Sequence, residues 1–513
     1  KGLFFLDSDD FEHWQTSSLL SAEAFHTQGD FSYFSDNGTL YNLMDDSIRV
    51  RGNNDTSQFS GLSRLVAANE DIQITLLDSV LLREEGLPGP GNSPAKDARL
   101  LTKRNLATLL AEGSLGALGL QARVWRQDRV EELDDRTGEV GLGFQWNRDA
   151  YATTGLRVHS SWIPFDAMAA SSTLSLEQES FDREDLLGED AYDPLNRQAL
   201  SWSLGGHVWG DSIPMTVSPV VQLNAIDSRR LAEASESVES MDQEESDVLW
   251  GLNPRIGLLW TPDLLGGISW RANAGRYIRP PAMDELFGDQ GAAHGNSNLV
   301  AEKGIQWDIG LRWSRKLSLL ALGVDGVFFS SQAKDKIVRI QNSQRTSVPI
   351  NLGEARIRGV EFALSASLAG LVESQTHLTW MDSENLTARM DAIGNRLPSL
   401  PLWDFHQSTS LVWGEWFRLG HSVSITTGNY WDVSNVHLSP ARTIHSGFVR
   451  LKQNTFSLEG SLLNATDQRV AVMDRNPFSE EDDAPSLHPI TDFIGYPLPG
   501  RTWLLSLRWE PSV

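Results

Sequence analysis

Gln306-Trp-Asp-Ile-Gly-Leu-Arg-Trp313 is the stretch on which the fold turns. Trp307, Ile309, Leu311 and Trp313 fall on one face; Gln306, Asp308, Gly310 and Arg312 fall on the other. A period of two marks a β-strand with unlike faces, because successive side chains of an extended chain point to opposite sides. The pattern recurs. Trp503, Leu505, Leu507 and Trp509 oppose Ser506 and Arg508. Val360, Phe362, Leu364 and Leu368 oppose Glu361, Ser365 and Ser367, and Phe456, Leu458 and Leu462 oppose Ser457, Glu459 and Ser461. A sandwich would show similar alternation. Runs of about ten residues or more with tryptophan at their ends instead suit strands that cross an outer membrane, with aromatic girdles at both interfaces.

Composition narrows the field. The 513 residues include no cysteine, which excludes disulfides, thiolate metal sites and cysteine nucleophiles. Hydrophobic content is 40%, mean hydropathy is -0.29, and no run approaches the roughly 20 apolar residues of a membrane-spanning helix. Basic residues number 43 and acidic ones 68, so the net charge of -25 repels nucleic acid phosphates and no nucleic acid partner is expected. Tryptophan is abundant, at 18 against 7 tyrosines.

Connections between strand candidates alternate in length. Short turns fall near 68–70, 113–116, 210–212, 314–316, 414–416 and 452–454. Long loops fall at 84–102, 130–150, 227–247, 278–303, 331–353, 384–404 and 465–500, among others. The expected fold is all-β, a large antiparallel transmembrane β-barrel of about twenty visible strands, with short periplasmic turns and long extracellular loops. Segment 1–15 is expected to be an N-terminal remnant containing part of a first strand, 16–510 the barrel, and 511–513 a tail. Loop 227–247 holds Glu233, Glu236, Glu239, Asp242, Glu244, Glu245 and Asp247, and loop 465–500 holds Glu480, Glu481, Asp482 and Asp483. Such runs form a solvated rim. The functional alternative is Ca2+ binding, since clustered carboxylates suit hard ions, although the spacing of a dedicated calcium loop is absent. No other cofactor is expected.

Residues 275–303 read GRYIRPPAMDELFGDQGAAHGNSNLVAEK. This resembles the mid-barrel motif of TonB-dependent outer-membrane receptors, with Arg279, Pro280, Glu285, Leu286, Gly295, Asn296, Leu299 and Glu302 matching and Ser297 and Ala301 standing where the family has proline. The run from Asn351 to Glu361, with Gly359, resembles a second fingerprint, and Asn395-Arg-Leu-Pro-Ser-Leu-Pro401 a third. Asn464-Ala-Thr-Asp467 and Tyr496-Pro-Leu-Pro-Gly-Arg501, which contains Pro499 and Gly500, resemble the closing pattern. Gly29-Asp-Phe-Ser-Tyr33 followed by Asp36-Asn-Gly-Thr39 is similar to a subset of these receptors near their first strands. Most of these residues read as structural: Pro280 and Pro281 stop strand pairing, and Gly359 permits close backbone approach.

The resemblance implies an integral protein of the bacterial outer membrane. It implies a receptor barrel for active uptake of a bulky, scarce ligand: a siderophore or other metal chelate, cobalamin or an oligosaccharide. It also implies 22 strands, a plug domain that fills the barrel, an energy-coupling periplasmic protein, and contact with outer-membrane lipid and lipopolysaccharide. Neither plug nor coupling box precedes Lys1, so the chain reads as the barrel portion of a longer receptor, or as a barrel whose plug is a separate chain or is lost. The alternatives are a plugless structural subunit of an envelope complex and a passive porin-like channel. Loop aromatics Phe287, Trp431 and Phe478 are candidates for ligand contact. No enzyme is expected: His-Glu-x-x-His, Gly-x-x-x-x-Gly-Lys and Gly-x-Ser-x-Gly are all missing. His207, His377 and His421 read as lumen-lining residues, with no converging metal set.

Overall fold

The computed structural model describes every residue except 1, 12–13, 40–41, 43, 142, 189–194, 211–213, 231–247, 263–265, 291–292, 342–345, 388–391, 474–485, 494 and 510–513. Its main sheet has 23 strands, of which Asp289–Gln290 and Ala293–His294 are two-residue pieces within a loop. The remaining 21 form one antiparallel wall in which each strand pairs with its neighbours in chain order, from Gly2–Phe11 to Thr502–Trp509. Such a wall satisfies backbone donors and acceptors between strands, which lipid demands.

Alternation sorts the two faces. Ile305, Trp307 and Ile309 stand outward, with Trp307 44% exposed and packed against Phe328, while Asp308 and Arg312 stand on the lumen side. Across the lumen side run charged and polar pairs. Arg271 grips Asp325 with two hydrogen bonds of 2.9 and 2.6 Å, and Asn273 donates to Asp308 at 2.9 Å. Outward tryptophans mark both margins of the apolar band: Trp260 faces Trp270 toward the short-turn end, and Trp380 packs on Trp403 toward the long-loop end. Gly359 follows from this packing. A Cβ there would meet the Trp380 carbonyl oxygen at 2.4 Å and the Phe329 ring at 2.7 Å, so only glycine lets that aromatic lie across the strand.

The short turns are built for hairpins. Ala369 and Gly370 both have positive φ (53° and 70°), and the Leu371 N–H donates to the Leu368 carbonyl at 2.9 Å, the geometry whose twist matches paired strands. At the opposite end the loops are long, with one correction. The segment expected as a loop at 331–353 is paired strand: Leu320–Gln341 and Ser347–Leu368 remain in register up to Gln341 and Ser347. This hairpin rises beyond the apolar band. The strand expected over 16–36 ends at Thr27, and Ser32–Ser35 pairs instead with Ser47–Val50 inside a loop. Gly2–Phe11 pairs with Trp14–Thr27. His421 departs from its expected place: it shares the outward face of Leu419 and Ile425 and lies 3.3 Å from His445.

No ladder among the described pairings joins Gly2–Phe11 to Thr502–Trp509. Loops bridge their neighbourhood instead. Tyr33, 1% exposed, donates to the Gly91 carbonyl at 2.8 Å, and the Gly91 N–H donates to the Gly495 carbonyl at 2.6 Å. Arg51 lies between the Tyr33 and Tyr496 rings and donates to the Gly89 carbonyl. The first, second and last long loops are thereby clasped together.

Candidate functional site

The motif residues converge at the long-loop end. Ile268–Arg279 pairs with Glu302–Leu317, which places Arg279 opposite Glu302 and Tyr277 opposite Gly304. Gly304 has no side chain because the Tyr277 ring lies over it, 2.5 Å from where a Cβ would stand. Glu302, 3% exposed, gathers donors from both flanking strands. Tyr277 Oη donates at 2.6 Å, Lys336 Nζ at 3.2 Å and the Ile337 N–H at 3.2 Å. Arg279 Nε lies 3.6 Å away. Lys336 reaches inward beside Asp335, whose φ of 53° interrupts the regular pleat.

Arg279 also carries the loop. Its Nη1 donates to Glu285 at 2.9 Å, and Glu285 accepts the Ala282 N–H at 2.8 Å, starting the short helix Met283–Phe287 after Pro280 and Pro281. Leu286 lies half-buried in that helix. The loop's far end is pinned by Asn296, which donates to the Pro349 carbonyl at 3.0 Å. Asn351 accepts the Val300 N–H at 2.9 Å and donates to the carbonyls of Val300 and Asp335. Pro349 and Asn351 belong to the tall hairpin, so two fingerprints far apart in sequence interlock.

The helix packs away from its own strands. Met283 and Phe287 meet Phe181, Leu195 and Tyr151, with Phe287 stacked on Phe181 at 6.1 Å between centroids. These partners lie on strands that are not ladder neighbours of Ile268–Arg279, so the loop reaches across the mouth of the lumen. Beneath it lies a cavity of about 110 Å³ lined by Arg129, Glu131, Tyr151, Asp284, Gly288, Ala293 and Arg339. Arg129 sits 3.9 Å from the centroid of the Tyr151 ring, and Arg339 is 3.6 Å from Asp284. The Tyr151 hydroxyl is buried and has no hydrogen-bond partner among the described residues. Sequence reading missed Arg129, Tyr151 and Arg339, which meet only through tertiary placement. It missed Lys336 because a loop was expected there; Tyr277 lay within the quoted motif.

The other expected residues have separate places. Leu397 of the third fingerprint is 1% exposed in a cluster with Leu352 and Ala355. Asn464 donates to the Pro499 carbonyl at 3.2 Å, and a Cβ on Gly500 would meet the Asp467 carboxylate at 2.6 Å. Asp467 accepts the Arg501 N–H at 2.8 Å and Arg469 Nε at 2.9 Å. The Arg501 amide, aided by Arg469 and Arg501 charge, holds its carboxyl below the usual range against some desolvation. Glu361 stands on the lumen side of its strand, beside Gly359, away from the rim network. Trp431 is half-buried, its N–H donating to the His437 carbonyl at 2.9 Å. Phe478 and the acidic residues 233–247 and 480–483 lie outside the described residues, as does the 511–513 tail.

Residues 6–465 match the family model described as TonB dependent receptor-like, beta-barrel. The chain belongs to the TonB-dependent receptor β-barrel family. Members of this family are integral outer-membrane proteins, so the short turns are periplasmic and the clasped loops extracellular. Solved structures agree on the fold. The copper transporter OprC superposes with a TM-score of 0.70 at 14% identity, covering 99% of this chain and 79% of that one. The siderophore receptor PiuA from Acinetobacter baumannii gives 0.68 at 12%, covering 99% and 82%. The ferric yersiniabactin uptake receptor FyuA from Yersinia pestis gives 0.64 at 12%, covering 99% and 77%. No curated protein sequence matches. TonB-dependent receptors act with a plug domain and with TonB; they are receptors and transporters rather than enzymes.

Proposed function

We propose that this TonB-dependent barrel serves active uptake of a bulky, scarce ligand, of the metal-chelate, cobalamin or oligosaccharide class, together with a plug domain and the energy-coupling periplasmic protein. The observation that carries the reading is the loop 280–301, braced on Glu302 and laid across the lumen mouth over the Arg129–Tyr151–Arg339 cavity. An uptake receptor needs an outer recognition surface joined to the wall that encloses the transport path. The cavity carries two guanidinium groups, each beside a carboxylate: Arg129 lies 3.8 Å from Glu131 and Arg339 lies 3.6 Å from Asp284. It also carries a phenol hydroxyl with no partner among the described residues. These donors suit an oxygen-rich acceptor on the ligand. Phe287, packed in the cluster of Phe181 that Tyr151 also joins, then contributes apolar contact beside it, and Trp431 and Phe478 remain candidates for ligand contact from other loops.

The test uses the full receptor in its own membrane. Uptake of labelled ferric chelates, cobalamin and oligosaccharides is measured with and without an inner-membrane proton gradient. Gradient-dependent uptake of one class, weakened about tenfold by Arg339→Gln or Tyr151→Phe with barrel stability intact, supports the reading. Gradient-independent passage of small solutes, with steady open-channel conductance in planar bilayers, would refute it.

A further inference from the structure

The outward apolar band is interrupted by polar side chains on the strands Val372–Asn385, Trp403–Trp413, Phe417–Thr426 and Arg442–Gln453. Register fixes their side of the wall. Gln407 and Thr409 share the outward face of Trp403, Leu411 and Trp413, with Thr376 directly opposite Gln407 and Ser374 opposite Thr409. On the other side His421 lies opposite Thr409, and His445 lies opposite Val423, itself opposite Gln407. Depth follows by counting. From Trp413 to Trp403 the tilted strand spans about 25 Å, the height of the band. Thr409 is four residues from Trp413 and six from Trp403, so the patch sits near mid-membrane. The outward pairs Leu411–Leu419 below it and Phe405–Ile425 above it are apolar.

The patch satisfies itself only in part. Gln407 Nε2 donates to the Thr409 hydroxyl and, at 3.4 Å, to Ser374, and the Ser374 and Thr409 hydroxyls are 3.2 Å apart. Gln407 Oε1 and the Thr376 hydroxyl have no hydrogen-bond partner among the described residues. His421 Nε2 and His445 Nδ1 are 3.3 Å apart, so one ring donates to the other. Whichever ring donates, the neutral pair keeps one further N–H and one bare nitrogen for an outside partner. Acyl chains can answer neither, and polar groups left against lipid are costly. Beside the histidines the wall is low: Gly447 lies opposite His421, and Gly460, on the next strand, has nothing within 4 Å of where a Cβ would stand. Small residues of this kind let two membrane-embedded surfaces approach closely.

We infer that this face is the interface between two copies of the chain, paired about a two-fold axis along the membrane normal. The patch is self-complementary in that arrangement. Both copies keep the same orientation in the membrane, so equal depths meet, while left and right exchange between facing walls. With the axis between Trp403–Trp413 and Phe417–Thr426, the Gln407 and Thr376 side of one copy faces the His421 and His445 side of the other. The free imidazole N–H then donates to Gln407 Oε1 across the interface, the bare nitrogen accepts the Thr376 hydroxyl, and symmetry makes each contact twice. Apolar contact between Leu411, Leu419 and their counterparts closes the rim.

The chain has no cysteine, so a single introduced thiol reports one position. In the full receptor in its own outer membrane, Thr409→Cys should give a disulfide-linked dimer of twice the chain mass on mild oxidation. Ile309→Cys, equally four residues from a margin tryptophan (Trp313) but on another part of the lipid-facing wall, should not. In detergent, the dimer dissociation constant measured by sedimentation should rise about tenfold for Gln407→Leu and for His421→Leu, because symmetry removes each bond twice. Ser408→Ala, on the lumen face of the same strand, should leave it unchanged. Heat-shifted gel mobility of each variant checks that the barrel is folded. Cross-linking at Thr409→Cys no stronger than at Ile309→Cys, cross-linking to a different polypeptide, or a dissociation constant unmoved by either leucine overturns the inference.

Discussion

Replacing Glu302 by alanine removes the acceptor on which the extracellular rim is assembled. In the folded barrel its carboxylate receives Tyr277, Lys336 and the Ile337 N–H, with Arg279 close by, and the group is 3% exposed. Deleting one partner of so buried a network leaves an ammonium, a phenol and an amide without their acceptor, a loss of about 3–5 kcal/mol. Glu302→Gln keeps an oxygen for Tyr277 but loses the charge, and should cost about 1.5–3 kcal/mol. Adding Lys336→Met to Glu302→Ala removes the stranded ammonium, so the double variant should recover part of the loss and not add to it. The assay is the thermal midpoint of the detergent-solubilised barrel, with protease cleavage within loop 280–301 as the local readout. If Glu302→Ala leaves both unchanged, or if the two substitutions add independently, the rim is not organised around this carboxylate.

Three other outcomes are expected. Gly359→Ala drives a Cβ into the Trp380 carbonyl and should lower stability by about 1–3 kcal/mol, whereas Gly326→Ala, which meets nothing within 4 Å, should be close to neutral in the same thermal melt. Tyr33→Phe leaves the buried Gly91 carbonyl without its donor and should cost about 1–3 kcal/mol, read as faster amide exchange in loops 28–55 and 464–501. Because the folded pKa of Asp467 is depressed, its stabilising contribution is present above the ordinary carboxylate pKa and is lost as pH falls through the folded value. Loop 464–501 should therefore become more protease-sensitive in acid, and Asp467→Asn should show that sensitivity already at neutral pH.

The wall was legible where lipid imposes a rule. In Gln306–Trp313 one face must be apolar and the other can carry Asp308 and Arg312, so period two survives in the letters, and turns such as 414–416 mark the strand ends. Above the membrane that demand lapses. The run Lys334–Asp–Lys–Ile–Val–Arg–Ile340 has charges and apolar residues in no strict alternation, yet it stays in the ladder because its partner strand continues beside it. Pattern alone could not see this, and Lys336 was lost with it. Glu302, Arg279 and Asn351 were visible as fingerprints, but their partnership was not. Nor was the Arg129–Tyr151–Arg339 cavity, whose members are drawn together only after the wall closes and a loop folds over it.

The clasp of the outer loops has a consequence for the order in which the wall is made. Every other joint joins strands that are adjacent in the chain and can form as a local hairpin. Bringing Tyr33 and Arg51 to Gly495 and Tyr496 closes a circuit of several hundred residues, at an entropic cost of about 5 kcal/mol that no short turn can reduce. Such a joint forms late. Tyr33, Arg51 and Gly91 stand where that circuit is completed, with contacts made through loops outside the bilayer. The last step of assembly can thus be sealed from the aqueous side, after the lipid-facing surface is already in place.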